Sequence, residues 1–404
     1  MKMCGVLFFV ICHYFVRFEI TNVHAYQSLV QHSGDIIVAS NEVLVIDSTE
    51  YRQNGNVLVM GNGNLTIINS GFSMTAEMRT YITLTDNATL KAVNSELTSQ
   101  VHILHFRCYN NSRVSFENTT FGFWGSTVIE MWGNSTAFFE ESSQKKWVQV
   151  ETHDTATVAV KNSTIAMIEC SASSTLFLQN SYVTKGSSCT ESATLTLKHS
   201  SFQSWLYVED SAKLVATENS TIGTLWPLDS SNVTINDSHV SYISPSDSSN
   251  ILLTNGSSVN ILTINMQSGY SRISDLRNGH IKNYTIHQER TDLNVNILES
   301  SVNSFDLKVG SNSHLFLEDS GIYTLSVSSF GSATVYNSEV KLVYCDDNSL
   351  LIMWNSKASL PIQSQPNATV KYFSTVSLTL FYTAVAIATV LAIALTLAIV
   401  KIIM

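Results

Sequence analysis

Ala193–Phe202, "ATLTLKHSSF", is the stretch whose reading decides the fold. Apolar and polar residues alternate, a small polar pair follows, and one more apolar residue comes after it. Nearly the same phrase returns as "ATVAVKNSTI" (156–165), "SHLFLEDSGI" (313–322) and "SATVYNSEV" (332–340). Alternation with period two marks a strand with one buried face. Its recurrence at a nearly fixed interval marks a repeat architecture.

Working outward, each copy aligns on the Ser or Thr that follows its strand: Ser70, Ser95, Thr119, Ser142, Ser163, Ser181, Ser200, Ser220, Ser238, Ser300, Ser320, Ser338 and Ser356. The intervals run from 18 to 25 residues, except for 62 between Ser238 and Ser300. That gap equals three ordinary intervals, so about fifteen turns are implied between Ser70 and Ser356. Five residues before the anchor all thirteen copies are apolar, from Leu65 through Val215 to Leu351. Three before, only Thr217 is not; two after, only Gln144 is not. Just before the anchor stands Asn in eight copies: Asn69, Asn94, Asn118, Asn162, Asn180, Asn219, Asn337 and Asn355.

Two inward residues two apart make a strand, and a change of phase across an Asn-Ser pair makes a corner. Asn tolerates the left-handed backbone that such a corner needs. Turns of this size, stacked like on like, give an all-β, single-stranded parallel β-solenoid, about 4.8 Å per turn and roughly 70 Å long. Each ladder Asn is expected to bond its equivalent one turn away. A sandwich would space its strands 8–12 residues apart without this register, and propeller blades are about twice as long. "TIINSGF" (66–72), "AVKNSTI" (159–165) and "FLQNSYV" (177–183) resemble the right-handed parallel β-helix repeat family, the pectate-lyase-like fold with its asparagine ladder. That resemblance implies fold and hand of coil. It implies little about activity, because lyases, hydrolases, adhesins and surface proteins share the repeat.

The ends of the chain read differently. Residues 1–25 carry Lys2, the apolar run "GVLFFVICHYFV" and "VHA", the order of a secretory signal peptide. Val376–Val400 is 25 residues without a charge, enough for one transmembrane helix, and only residues 401–404 follow. A removable lipid-anchor signal is the rival reading. The expected organisation is a signal peptide (1–25), an extracellular solenoid (26–365), a juxtamembrane linker (366–375), a single-pass membrane helix (376–400) and a short cytoplasmic tail. The formal charge of −10 argues against nucleic acid, whose phosphates need Lys and Arg.

Cys108, Cys170, Cys189 and Cys345 each lie eleven residues before an anchor, so they share one position around the coil. Cys170 and Cys189 fall on adjacent turns, within reach of a disulfide in an exported chain. No pair has the C-x-x-C spacing of a zinc site, and no cofactor motif is read. Among the sequons, Asn64, Asn87, Asn110, Asn232 and Asn367 are the accessible N-glycosylation candidates. Asn118, Asn162 and Asn219 belong to the ladder, where burial is expected to exclude a glycan.

Catalytic members of the resembled family carry clustered carboxylates, and polygalacturonase-like ones carry Gly-His-Gly and Arg-Ile-Lys. Here Gly279-His280-Ile281-Lys282 fuses two fragments, and the paired Asp346-Asp347 comes after them instead of before. Glu117, Glu140, Lys161, Lys198, Glu218 and Glu318, all two before an anchor, read as a solvated outer face. The repeat blurs between Ser238 and Ser300, where Arg272, Arg277, His280, Lys282 and Arg290 gather as a candidate binding patch. Trp124, Trp132, Trp147, Trp205, Trp226 and Trp354 are candidate sugar platforms. The expected function is structural or adhesive, a surface rod presenting its faces to glycans or surface proteins. The alternative is a polysaccharide lyase or glycoside hydrolase.

Overall fold

The computed structural model describes residues 28–373, apart from 78, 101–102, 123–125, 145–146, 246–248, 255–256, 267–272, 278–279, 289–293, 299–300, 303–304, 310–313 and 329. Within 260–313 and at 328 it describes backbone alone. All the elements are strands, and every pairing between them is parallel, joining a strand to its equivalent one turn away. The chain is a parallel β-solenoid. Its third sheet counts the turns: fifteen strands from Asn64–Ile68 to Leu350–Trp354, with Val43–Asp47 before them and Thr369–Phe373 after them. The interval of 62 residues is indeed three turns, with third-sheet strands Asn250–Thr254, Ile273–Arg277 and Asn294–Leu298. The last strand lies in the segment expected to be a linker, where Phe373 stacks on Trp354 with ring centroids 4.8 Å apart.

Each early turn has three faces. A short first-sheet strand follows the anchor (Gly71–Met74, Glu96–Ser99), a second-sheet strand comes next (Tyr81–Leu84, Leu104–Cys108), and the third-sheet strand closes the turn (Thr89–Val93, Arg113–Glu117). Between the first two lie six residues in the turn of Gly71, but one in the turn of Thr164–Ile165 and none in Ser201–Val208. The variation in repeat length is therefore concentrated at one corner. Among the described side chains the interior is an apolar column, from Val57 to Val259 and from Leu315 to Met353, in which the residues five before, three before and two after most anchors are buried. Phe106, Phe116, Phe121 and Phe139 fill the wider early turns, Phe116 lying 4.9 Å from Phe121 and 5.0 Å from Phe139.

The anchor itself turns out to be the buried polar element of the corner. Ser70, Ser95, Thr119, Ser163, Ser181, Ser200, Ser220 and Ser338 are each no more than 6% exposed. Each hydroxyl donates to a carbonyl two or three residues back, as Ser181 does to Gln179 at 2.7 Å. The anchor hydroxyl also accepts the backbone N–H of the anchor one turn earlier: Ser163 to Ser181, Ser181 to Ser200, Ser200 to Ser220, Ser320 to Ser338. Buried N–H groups must be paired, which is why the position admits Ser and Thr alone.

The asparagine beside it lies outside. Asn69, Asn94, Asn118, Asn162, Asn180, Asn337 and Asn355 all hold φ between 45° and 49°, the left-handed region. Their amides form the expected ladder, Asn94 to Asn69 at 3.2 Å, Asn118 to Asn94 at 2.9 Å and Asn180 to Asn162 at 3.2 Å. The expectation that this ladder is buried is corrected, since Asn69, Asn118, Asn162 and Asn180 are exposed. A second ladder runs along the opposite end of the third-sheet strands: Asn62 to Asn41, Asn87 to Asn62, Asn111 to Asn87 and Asn134 to Asn111. The turn at Ser220 departs from the rule. An extra residue enters the corner, Glu218 and Asn219 are both left-handed, and Leu214 and Ala216 are buried instead of the expected Val215. That insertion accounts for Thr217.

Ser181→Ala should strand the Ser163 N–H in the interior and cost about 1–3 kcal/mol. Ser181→Thr keeps the hydroxyl and should cost less. Thermal midpoints of the two variants check this, and equal losses would refute the role of the hydroxyl.

Candidate functional site

The segment expected to carry binding residues continues the solenoid. Ile273–Arg277 and His280–Gln288 are strands, the latter paired with Ser258–Met266, so Arg277, His280 and Lys282 sit in paired strands rather than in a long loop, with a register shift between Ile273 and Leu276. Arg272 and Arg290 lie outside the described residues, as do residues 1–25 and 376–400. Among the described residues no helix is long and apolar enough to cross a membrane. Asp346-Asp347 is an ordinary exposed corner, with the Asp346 carboxylate accepting the Asp347 N–H.

The four cysteines do share a column. Cys108, Met131, Thr152, Cys170 and Cys189 are successive register partners, which leaves Cys108 three turns from Cys170. Cys170 and Cys189 are direct neighbours and free thiols. The Cys170 thiol is pushed up by its hydrogen bond to Cys189 and by burial.

The sequons divide by what their amides already do. Asn87, Asn110 and Asn232 are exposed, but each commits its Nδ2 to a bond, with Asn62, Asp86 and Ser230 respectively. Asn64 accepts through its oxygen from Thr66, and Asn367 is exposed. For the ladder sequons Asn118 and Asn162 the obstacle to a glycan is the ladder bonding and not burial.

The densest chemistry among the described residues lies elsewhere, on the outer face of the second sheet. Outward positions alternate with the buried ones along each strand. Parallel register therefore builds one column, turn by turn: Thr83, Arg107, Glu130, Glu151, Glu169, Ser188, Tyr207 and Trp226. It combines a cation, three stacked carboxylates and aromatics. At its head the Arg107 guanidinium lies over the Tyr81 ring, 3.9 Å from the centroid, and its Nε is 3.3 Å from Glu130 Oε2. His105 is only 3% exposed although it points outward, and it takes a hydrogen bond from Arg79, in the six residues between the first two strands of the preceding turn. Burial, and then Arg79, hold its pKa below the ordinary value.

Glu151 is the centre. Its Oε1 accepts from Gln149 at 2.8 Å, and His153 Nε2 stands 3.8 Å from its Oε2. Burial, then Glu169 and Glu130, push its carboxyl up to about 6. His153 stacks on Trp132 at 3.8 Å, and burial lowers its pKa too. Lys145 and Lys146, which precede this strand, lie outside the described residues. Further along, Trp205, Tyr207 and Trp226 form a row with 5.0 Å between successive ring centroids, the two indoles 41% and 37% exposed. Gly186 lies against the Trp205 ring, where any Cβ would collide with it.

No family model, no curated protein and no solved structure matches this chain. Among the described residues, no group of three or more His, Cys, Asp or Glu is placed to hold a metal ion.

Sequence reasoning missed the acidic column because it aligned charges on the third-sheet strands. There the expected outer face does exist, with Glu117, Glu140 and Lys161 in register and Lys198 bonded to Glu218 at 2.9 Å. The signal for the true cluster was an outward Glu between inward residues in "VIEM", "VQVET" and "MIEC". Of the six tryptophans, Trp124 is outside the described residues, Trp132 is stacked on His153 and Trp354 is taken up by Phe373.

Glu151 gives a pH signature. Its folded pKa lies above that of an unfolded glutamate, so its protonated form favours the fold. That contribution is full below the unfolded value and is lost as pH rises through about 6. Solvent screening of this part-exposed carboxyl reduces the contribution to about 1 kcal/mol. Glu151→Gln should abolish the loss, flattening the thermal midpoint between pH 4 and 7. An unchanged pH profile would refute the assignment.

Proposed function

We propose that the chain is an exported, membrane-tethered β-solenoid that binds glycan chains along the outer face of its second sheet. The single observation that carries this reading is the row of Trp205, Tyr207 and Trp226, its two indoles exposed, in line with the polar column of Arg107, Glu130, Glu151 and Glu169. Aromatic rings supply rigid apolar faces with a polar edge, suited to the C–H faces of sugar rings. Carboxylates and amides alongside suit the hydroxyls. The export signal and the apolar C-terminal segment support placement outside a membrane, and the right-handed, pectate-lyase-like coil is taken from the repeat resemblance. A regular scaffold with its chemistry confined to one face suits an adhesive rod.

One observation favours the alternative of glycoside hydrolysis: Glu151, with its carboxyl pushed up to about 6, stands directly between two other carboxylates. A proton donor beside a carboxylate base is the pair that such chemistry needs.

The experiment that tests the proposal uses the full-length chain in mild detergent against a panel of oligosaccharides, scoring binding and released reducing ends separately. Trp205→Ala and Trp226→Ala should each weaken binding about tenfold, the loss of roughly 1.4 kcal/mol. Binding without cleavage supports the adhesive reading, and cleavage abolished by Glu151→Gln supports the hydrolytic one. Absence of binding across the panel overturns both.

A further inference from the structure

Glu130, Glu151 and Glu169 are direct register partners on three successive turns, so their carboxylates repeat at one strand spacing, about 4.8 Å. Like charges stacked in this way repel one another. Among the described residues the cationic compensation stops at the first of them. Arg107 lies 3.3 Å from Glu130, while the two imidazoles nearby, His105 and His153, are both held toward the neutral form. The flanking corner adds to the negative potential. Asp154 is exposed in the turn of Glu151, and Glu191, Asp210 and Asp229 are exposed on three consecutive turns farther along.

A second observation is a buried imidazole at the head of the column. His105 is 3% exposed, and its Nδ1, 3.4 Å from Glu130 Oε1, makes no hydrogen bond. Arg79 donates to the other ring nitrogen, which puts the ring proton on Nδ1, aimed at the column. Arg107 Nε and His153 Nε2 likewise face carboxylate oxygens without bonding them. The column thus calls for a ligand that brings positive charge for the carboxylates, and the aromatic row in line with it offers faces for rings.

We propose that this face, from Arg107 to Trp226, binds a linear amino-sugar polymer, with ammonium groups on Glu151 and Glu169 and sugar rings on Tyr207, Trp226 and Trp205. The inference rests on the glycan reading above and names the class of sugar. Its basis is a match of repeats. An extended pyranose chain advances by about one strand spacing per ring, so amines on successive or alternate sugars fall opposite carboxylates one or two turns apart. Over the six steps from Arg107 to Trp226 the face is about 29 Å long, several rings of such a chain. A uronate polymer, the substrate of pectate-degrading enzymes, would meet three carboxylates and be repelled. A bare metal ion fits poorly, as no group here is placed to chelate one among the described residues.

The test measures binding of a glucosamine hexamer, its N-acetylated counterpart and an oligogalacturonate of equal length to the full-length chain, by calorimetry at low and moderate salt. The glucosamine hexamer should bind at least about tenfold more tightly than the acetylated one, the scale of a charge-assisted hydrogen bond. The advantage should shrink as salt rises, and oligogalacturonate should not bind. Glu151→Gln combined with Glu169→Gln should erase the preference by weakening the glucosamine hexamer to the level of the acetylated one, and a thermal midpoint within a few degrees of the unsubstituted chain's shows that the variant is folded. Trp226→Ala should weaken both hexamers. Equal affinity for the two hexamers, or a preference that survives the double substitution, overturns this inference and leaves the glycan reading standing. Failure of every oligosaccharide to bind overturns both. Calcium that binds the column and displaces the hexamer overturns it in favour of a metal site.

Discussion

Everything in this molecule depends on parallel strands stacking in register, each residue above its counterpart one turn away. Backbone hydrogen bonds between turns fix that register, and side chains then meet neighbours of their own kind. In the interior this is favourable at once, as Val158, Leu176 and Leu195 pack in one buried column. At the corners it is favourable only for side chains that can bond to copies of themselves. An amide has both a donor and an acceptor and can hand one bond to each neighbour, which is why two asparagine ladders exist. A hydroxyl can do the same with backbone groups, and the buried serine ladder follows. On the outer faces the same rule turns against the fold wherever charges coincide, as at Glu130, Glu151 and Glu169.

How much of this is legible in the sequence follows from which residues repeat. The interior positions and the anchor repeat chemically as well as spatially, so alignment on the anchor shows the fold, the number of turns and the shared column of the cysteines. Thr217 was a warning already present in that alignment. A polar residue at an interior position meant an inserted residue in the corner, which the paired left-handed Glu218 and Asn219 supply.

The inside-outside assignment of the corner was harder. Asn and Ser are both small and polar, and sequence alone gives no reason for the hydroxyl to face in and the amide out. The answer lies in the N–H of the preceding anchor, which a buried hydroxyl reaches. The acidic column was hidden for another reason. Glu130, Glu151 and Glu169 each stand twelve residues before the next anchor, Ser142, Ser163 and Ser181, one place beyond the offset shared by the cysteines. At that offset the chemistry changes along the rod, from Arg107 through the three glutamates to Ser188 and Trp226. A position that keeps its place but not its residue type leaves no repeat to notice.

The corner between the first and second sheets, which shrinks from six residues to none, sets where the molecule can vary. Positions within the strands are tied to the turns above and below, so a residue added there would shift a whole strand to the wrong face. At this corner an addition only lengthens an excursion over the outside, and the residues on either side keep their partners. Arg79, carried on the longest of these excursions, already reaches across to His105. New surface chemistry can therefore be tried out beside the acidic column with little risk to the scaffold, an opening for divergence that the strands themselves do not offer.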